Sequence, residues 1–114
     1  MKLLLDNHRA KLLANHHATL AAEGESLDHN PVVKFFNPCG AGTCLISEMD
    51  EDEIMFGLCD PGQGTPELGY QSFDEIESYR GPFCLGIERD MHWEASKTLT
   101  EYANESRKLG RIAA

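Results

Sequence analysis

Two seven-residue segments constrain this chain more than any other feature. TCLISEM (43–49) and EIMFGLC (53–59) both alternate, and in the second Ile54, Phe56 and Leu58 fall on one side of an extended backbone. Between them lies Asp50-Glu51-Asp52, too polar to bury and well placed for a turn. The pattern predicts an antiparallel hairpin. A two-stranded ribbon is only marginally stable in water, so the rest of the chain must widen it and cover its apolar side.

Further strands are predicted at VVKFF (32–36), which is β-branched and aromatic, at PELGYQ (66–71), and at FCLGIERD (83–90), where Phe83, Leu85 and Ile87 share a face. Residues 2–22 read as a helix, with Leu5, Leu12, Leu13, His16 and Leu20 on one side and alanines elsewhere. The connector 21–31 ends it, with Gly24 as a stop and Pro31 barring continuation. Ser72-Phe73-Asp74-Glu75 is a capping box that opens a short helix carrying Ile76 and Tyr79, closed by Gly81-Pro82. Thr98-Leu99-Thr100-Glu101 is a second capping box, starting a terminal helix with Leu99, Tyr102, Ala103 and Leu109 along one face and Gly110 as its stop. The order lacks the strict strand–helix alternation of a parallel sheet. It predicts an α+β fold: a single antiparallel sheet of about five strands with the N- and C-terminal helices packed on it. With 114 residues, the chain (1–114) is expected to form a single domain.

Charge is unevenly distributed. The formal net charge is −9, but residues 23–94 carry −13 while residues 1–22 and 95–114 carry +2 each. An acidic middle repels phosphate backbones, which argues against direct nucleic-acid binding and toward a basic protein partner. The longest early apolar run, Leu3-Leu4-Leu5, is too short for a signal peptide or a membrane span, so the chain is expected to be cytoplasmic, with no membrane role. Its four cysteines, Cys39, Cys44, Cys59 and Cys84, are accordingly expected as free thiols tucked inside.

Four chemistries are conceivable on these residues. For zinc, only Cys39 and Cys44 approach a paired spacing, at the loose end of the usual range; Cys39, Cys59, His29 and His92 are the alternative metal set. Gly40-Ala41-Gly42 and Gly62-Gln63-Gly64 lead into strands rather than helices and have acidic neighbours, so they read as turns rather than phosphate cradles. Cys39 has only Lys34 as a basic sequence neighbour, a poor setting for a nucleophile. Glu88, Arg89, Asp90 and His92 form a dense ionisable group in which, on a strand, Glu88, Asp90 and His92 would share a face; a salt-bridge cluster is the plainer reading than acid–base catalysis.

Taken together, PVVKFFNPCGAGTC, MFGLCDPGQGTPELGY, FDEIESYRGPF and IERDMHW with KTLTEYA resemble a family of small, uncharacterised bacterial proteins carried on plasmids, conjugative elements and phages. The resemblance runs from about Asn15 to Arg107, and is most specific at Cys59-Asp60 and Pro66–Tyr70. This chain departs from the family pattern at Cys44, where the pattern has Trp, at Pro61, where it has Leu, and at Cys84. A four-cysteine zinc site is therefore not implied. The resemblance implies a mobile-element setting, in which small acidic proteins block host restriction or CRISPR machinery; it carries no catalytic residue and no cofactor.

The resulting expectation is a non-enzymatic binding module that docks onto the basic surface of a nucleic-acid-handling host protein through Asp50, Glu51, Asp52, Glu53, Asp60 and Glu67, with Tyr70 or Trp93 as aromatic anchor. The alternatives are a small metal- or cysteine-dependent enzyme around Cys39, Cys59, His29, Asp90 and His92, and a homodimeric accessory protein joined through an exposed sheet edge.

Overall fold

A computed structural model describes residues 2–25 and 27–114; Ser26, inside the expected 21–31 connector, lies outside them. The elements run α1 (Asp6–Ala21), β1 (Val33–Phe36), β2 (Thr43–Met49), β3 (Ile54–Asp60), β4 (Glu67–Ser72), α2 (Phe73–Ser78), a 3-10 turn (Pro82–Cys84), β5 (Glu88–Arg89) and α3 (Leu99–Leu109). The strands form one antiparallel sheet in the order β4-β3-β2-β1-β5, an α+β fold.

Register sorts the side chains onto two faces. Cys44 lies opposite Cys59, Ile46 opposite Gly57 and Val33, and Met49 opposite Met55; this face buries Val33, Phe35, Ile46, Met49 and Met55 with Leu3, Leu4, Leu12 and Phe73. Leu45 lies opposite Leu58 on the other face and packs with Leu99, Tyr102 and Ala103 of α3. The expected hairpin is therefore present, but it is buried on both sides. Its ladder carries a bulge between Ile46 and Glu48.

β1 pairing with β2 ends at Val33–Ile46. Beyond that point α1 takes over: buried Asn15 donates from Nδ2 to the Ser47 carbonyl at 2.9 Å, and Leu12 joins the core. Burying this amide would be costly without that bond. The expected apolar stripe on α1 is thus corrected. Only Leu12 of it is buried, Leu5 and Leu20 are exposed, and polar Asn15 takes an inward position. The helix also starts at Asp6 rather than at residue 2. Leu3 and Leu4 enter the core from the segment before it, held by buried Arg89, whose Nη1 donates to the carbonyls of Lys2 (2.5 Å) and Leu3 (2.9 Å).

The expected fifth strand, 83–90, is reduced to Glu88–Arg89. Phe83 and Cys84 both have φ of 59°, a left-handed conformation incompatible with a strand, and Gly81 N donates to Leu85 O across the turn at 2.8 Å. Phe83 is 91% exposed, so the apolar alternation that predicted a strand here does not report burial.

The start of α3 follows the capping-box expectation. Thr98 Oγ1 accepts from Glu101 N, and Glu101 Oε1 accepts from Thr98 N. The 27–30 segment adds two more acceptors: Asp28 Oδ1 for Thr100 N at 3.0 Å and the His29 carbonyl for Leu99 N at 2.9 Å. Together they satisfy the first amides of the helix. Burial opposes the charge on Asp28, but the bonds from Thr98 and Thr100 outweigh it and hold the carboxyl below its usual range.

Candidate docking surface

The acidic turn is built by its own first residue. Asp50 Oδ1 accepts from Asp52 N and Ile54 N, both at 2.9 Å, while Asp50 N donates to Ile54 O at 3.0 Å. Two of the other three acids in the turn pair with α1. Glu51 bonds His17, which holds its carboxyl below the usual range, and Glu53 bonds Arg9 at 3.0 Å. Asp52 has no such ion pair among the described residues. Phe73 N donates to Glu53 O at 3.0 Å, which places the exposed Asp74 and Glu75 of α2 beside this turn. The acidic end of the sheet thus comprises the 50–53 turn and the start of α2, a contribution that sequence reading did not assign.

Asp60 and Trp93 have structural surroundings. Asp60 is buried, and its Oδ1 accepts from Gly62 N (2.9 Å) and Gln63 N (3.0 Å), shaping the turn before β4. Trp93 is half-buried, its ring 6.0 Å from that of Tyr102. Glu67 and Tyr70 are exposed on β4. Tyr70 is 74% exposed, and its ring lies 5.2 Å from that of Phe56. It lines a shallow hollow of about 190 Å³ with His16, Leu20, Ile54, Phe56, Asp50 and the buried Glu48, whose Oε1 lies 3.9 Å from His16 Nδ1. Leu20 and Ile54 are themselves exposed, so the result is an apolar patch beside carboxylates.

The residues of the metal and cysteine alternatives are placed as follows. Cys44 and Cys59 form a disulfide, which corrects the expectation of four free thiols. The reason is register: the two residues lie directly opposite one another, with Cα atoms 4.2 Å apart. Cys39 and Cys84 are free but exposed rather than tucked inside. His29 Nε2 lies 3.0 Å from Thr19 Oγ1, and His92 is exposed, so Cys39, Cys59, His29 and His92 do not converge. Among the described residues no three His, Cys, Asp or Glu side chains are arranged to hold a metal. The 88–92 group does not share a strand face either. The strand stops at Arg89, Asp90 Oδ2 lies 3.9 Å from Lys34 Nζ, and Asp90 Oδ1 accepts from His92 N at 3.4 Å.

The turns carrying Gly40-Ala41-Gly42 and Gly62-Gln63-Gly64 meet on the opposite face. A groove of about 800 Å³ is lined there by Asn37, Gly42, Cys44, Cys59, Pro61, Gln63, Glu67 and Gln71, with Ile76, Tyr79 and Ile87 across from them. The turn reading of the glycines holds at Gly62 and Gly64, with φ of 99° and 75°.

These features define a small α+β protein with an acidic, apolar-patched sheet end. The profile of a family described as a protein of unknown function (DUF2958) matches residues 3–113, and the chain belongs to that family. No curated protein and no solved structure matches it. No helix among the described residues is long and apolar enough to cross a membrane.

Proposed function

We propose that this chain is a non-enzymatic protein-binding module of a mobile genetic element. It docks onto a basic surface of a host nucleic-acid-targeting defence protein, of the kind that anti-restriction and anti-CRISPR inhibitors block, and occludes the nucleic acid. The setting is the cytoplasm, where such nucleases act. The observation that carries the reading is Tyr70, a large aromatic side chain 74% exposed, next to a hollow that also contains Glu48 and Asp50. Tyrosine is among the residues enriched in binding hot spots. The negative field of residues 23–94 would speed encounter with a cationic surface and disfavour nucleic acid itself.

A plasmid-transformation assay tests this. Host cells with an active restriction or CRISPR nuclease are transformed with a susceptible plasmid, with and without the chain. Protection is expected for the natural chain and is lost when Asp52, Asp74 and Glu75 are together reversed to Lys. Absence of protection in both nuclease backgrounds, or protection indifferent to charge reversal, overturns the proposal.

A further inference from the structure

The edge of the sheet beside Tyr70 points to how a partner would engage it. β4 is a terminal strand in the sheet order. The 4.2 Å Cα separation of Cys44 and Cys59 marks a non-hydrogen-bonded pair, so Cys59 turns its N–H and C=O away from β2 and toward β4. Counting along the ladder, Cys59–Glu67, Gly57–Gly69 and Met55–Gln71 are the hydrogen-bonded pairs. Leu68 and Tyr70 therefore direct their N–H and C=O groups outward, a spacing that matches one repeat of an antiparallel ladder.

Natural sheets blunt such edges with Lys, Pro, bulges or short length. The opposite edge, β5, is only two residues long. β4 has six residues, with no Lys, no Pro and a continuous register against β3. Its two faces are also open. Tyr70 and Leu68 are exposed on one, and on the other a Cβ built on Gly69 would meet nothing within 4 Å.

We infer that the β4 edge accepts an extended, lysine- or arginine-bearing segment of the partner as a sixth strand, an inference that rests on the protein-binding reading above. Alternate side chains of the added strand lie against Tyr70 and Leu68 on one face and over Gly69, toward Glu67 and the groove, on the other. Charge selects this occupant over a second copy of the chain. β4 starts at Glu67 and runs into Asp74 and Glu75, so an antiparallel copy would bring like carboxylates together at both ends.

The test uses the full chain, isotope-labelled, and a peptide of alternating Lys and Val with blocked ends. Amide hydrogen exchange is read by NMR. With millimolar peptide, the Leu68 and Tyr70 amides are expected to slow by at least about tenfold, with little change at Glu67, Gly69 and Gln71, which are already bonded to β3. The same peptide N-methylated at its three central residues keeps its charge but loses its strand bonds, and is expected not to protect them. Equal effects of both peptides, or perturbation confined to Asp50–Glu53, overturns the edge inference and leaves the acidic docking reading standing. No protection by either peptide also overturns the edge inference. Protection of Leu68 and Tyr70 without peptide, together with a dimeric mass by light scattering, replaces the basic strand by a second copy and overturns it too. Failure of the transformation assay instead removes the protein-binding reading itself.

Discussion

Gly57 and Gly69 face each other across the β3–β4 ladder, yet their surroundings predict opposite responses to one added methyl group. A Cβ on Gly57 would lie 2.2 Å from the Leu45 carbonyl oxygen and 2.9 Å from Ile46 Cδ1. The first of these is backbone in a central strand and cannot swing away. Overpacking ordinarily costs about 1–3 kcal/mol, and this contact belongs at or above the upper end, about 3 kcal/mol. With about 2.1 cal/mol/K of unfolding entropy per residue over 114 residues, that corresponds to a fall in Tm of about 12 °C. A Cβ on Gly69 meets nothing within 4 Å. Gly69→Ala should instead gain about 0.4–1 kcal/mol by restricting the unfolded chain, a rise of about 2–4 °C. Circular dichroism melts of both variants, with urea titrations to check that m is unchanged, measure the contrast. Similar shifts for the two would refute the β2–β3 packing described above, because that close approach is the sole source of the predicted difference.

Other consequences are as direct. Replacing Cys44 and Cys59 together by Ser removes a cross-link spanning 15 residues and should cost the oxidised protein about 3 kcal/mol, while a reductant should lower the stability of the natural chain alone. Alkylation before and after reduction should label two and then four cysteines by mass. Thr98→Ala breaks the reciprocal cap of α3 and should cost about 1 kcal/mol in urea titration. His8 Nδ1 accepts from Leu5 N at 3.1 Å, which requires the unprotonated ring; burial first, and then the charge of Arg89, lower its pKa below the ordinary 6.5. A lowered histidine pKa gives stability that is present above 6.5 and is lost as pH falls through the folded value. His8→Gln keeps an acceptor without titrating, so the natural chain should lose more Tm than the variant between about pH 7 and pH 5.

The β2–β3 hairpin was legible because its alternation coincides with real burial, and the capping box at Thr98 because its chemistry is local. The disulfide was harder to read: next to the turn Met49 faces Met55, and it is the bulge between Ile46 and Glu48 that brings Cys44 opposite Cys59. Reading all four thiols as free set that pairing aside. Residues 83–90 misled because Phe83, Leu85 and Ile87 alternate like a strand, while the backbone at Phe83 and Cys84 is left-handed. Asn15 could not be read as an inward residue, since its partner is a carbonyl exposed only where β1 stops pairing. For the docking surface, Tyr70 and the 50–53 acids were visible in sequence, but the pairing of Glu51 with His17 and Glu53 with Arg9 depends on α1 lying beside the turn. Asp60 carries a charge that looked available and is buried as a turn acceptor.

Two exposed tyrosines separate the docking account from a general effect of losing an aromatic ring. Tyr70 stands by the acidic hollow on one face, and Tyr79 lines the groove on the other. Protection in the transformation assay should fall at least about tenfold for Tyr70→Ala and stay near that of the natural chain for Tyr79→Ala. Equal protection by the two variants, or loss confined to Tyr79→Ala, would contradict the assignment of the docking surface to Tyr70.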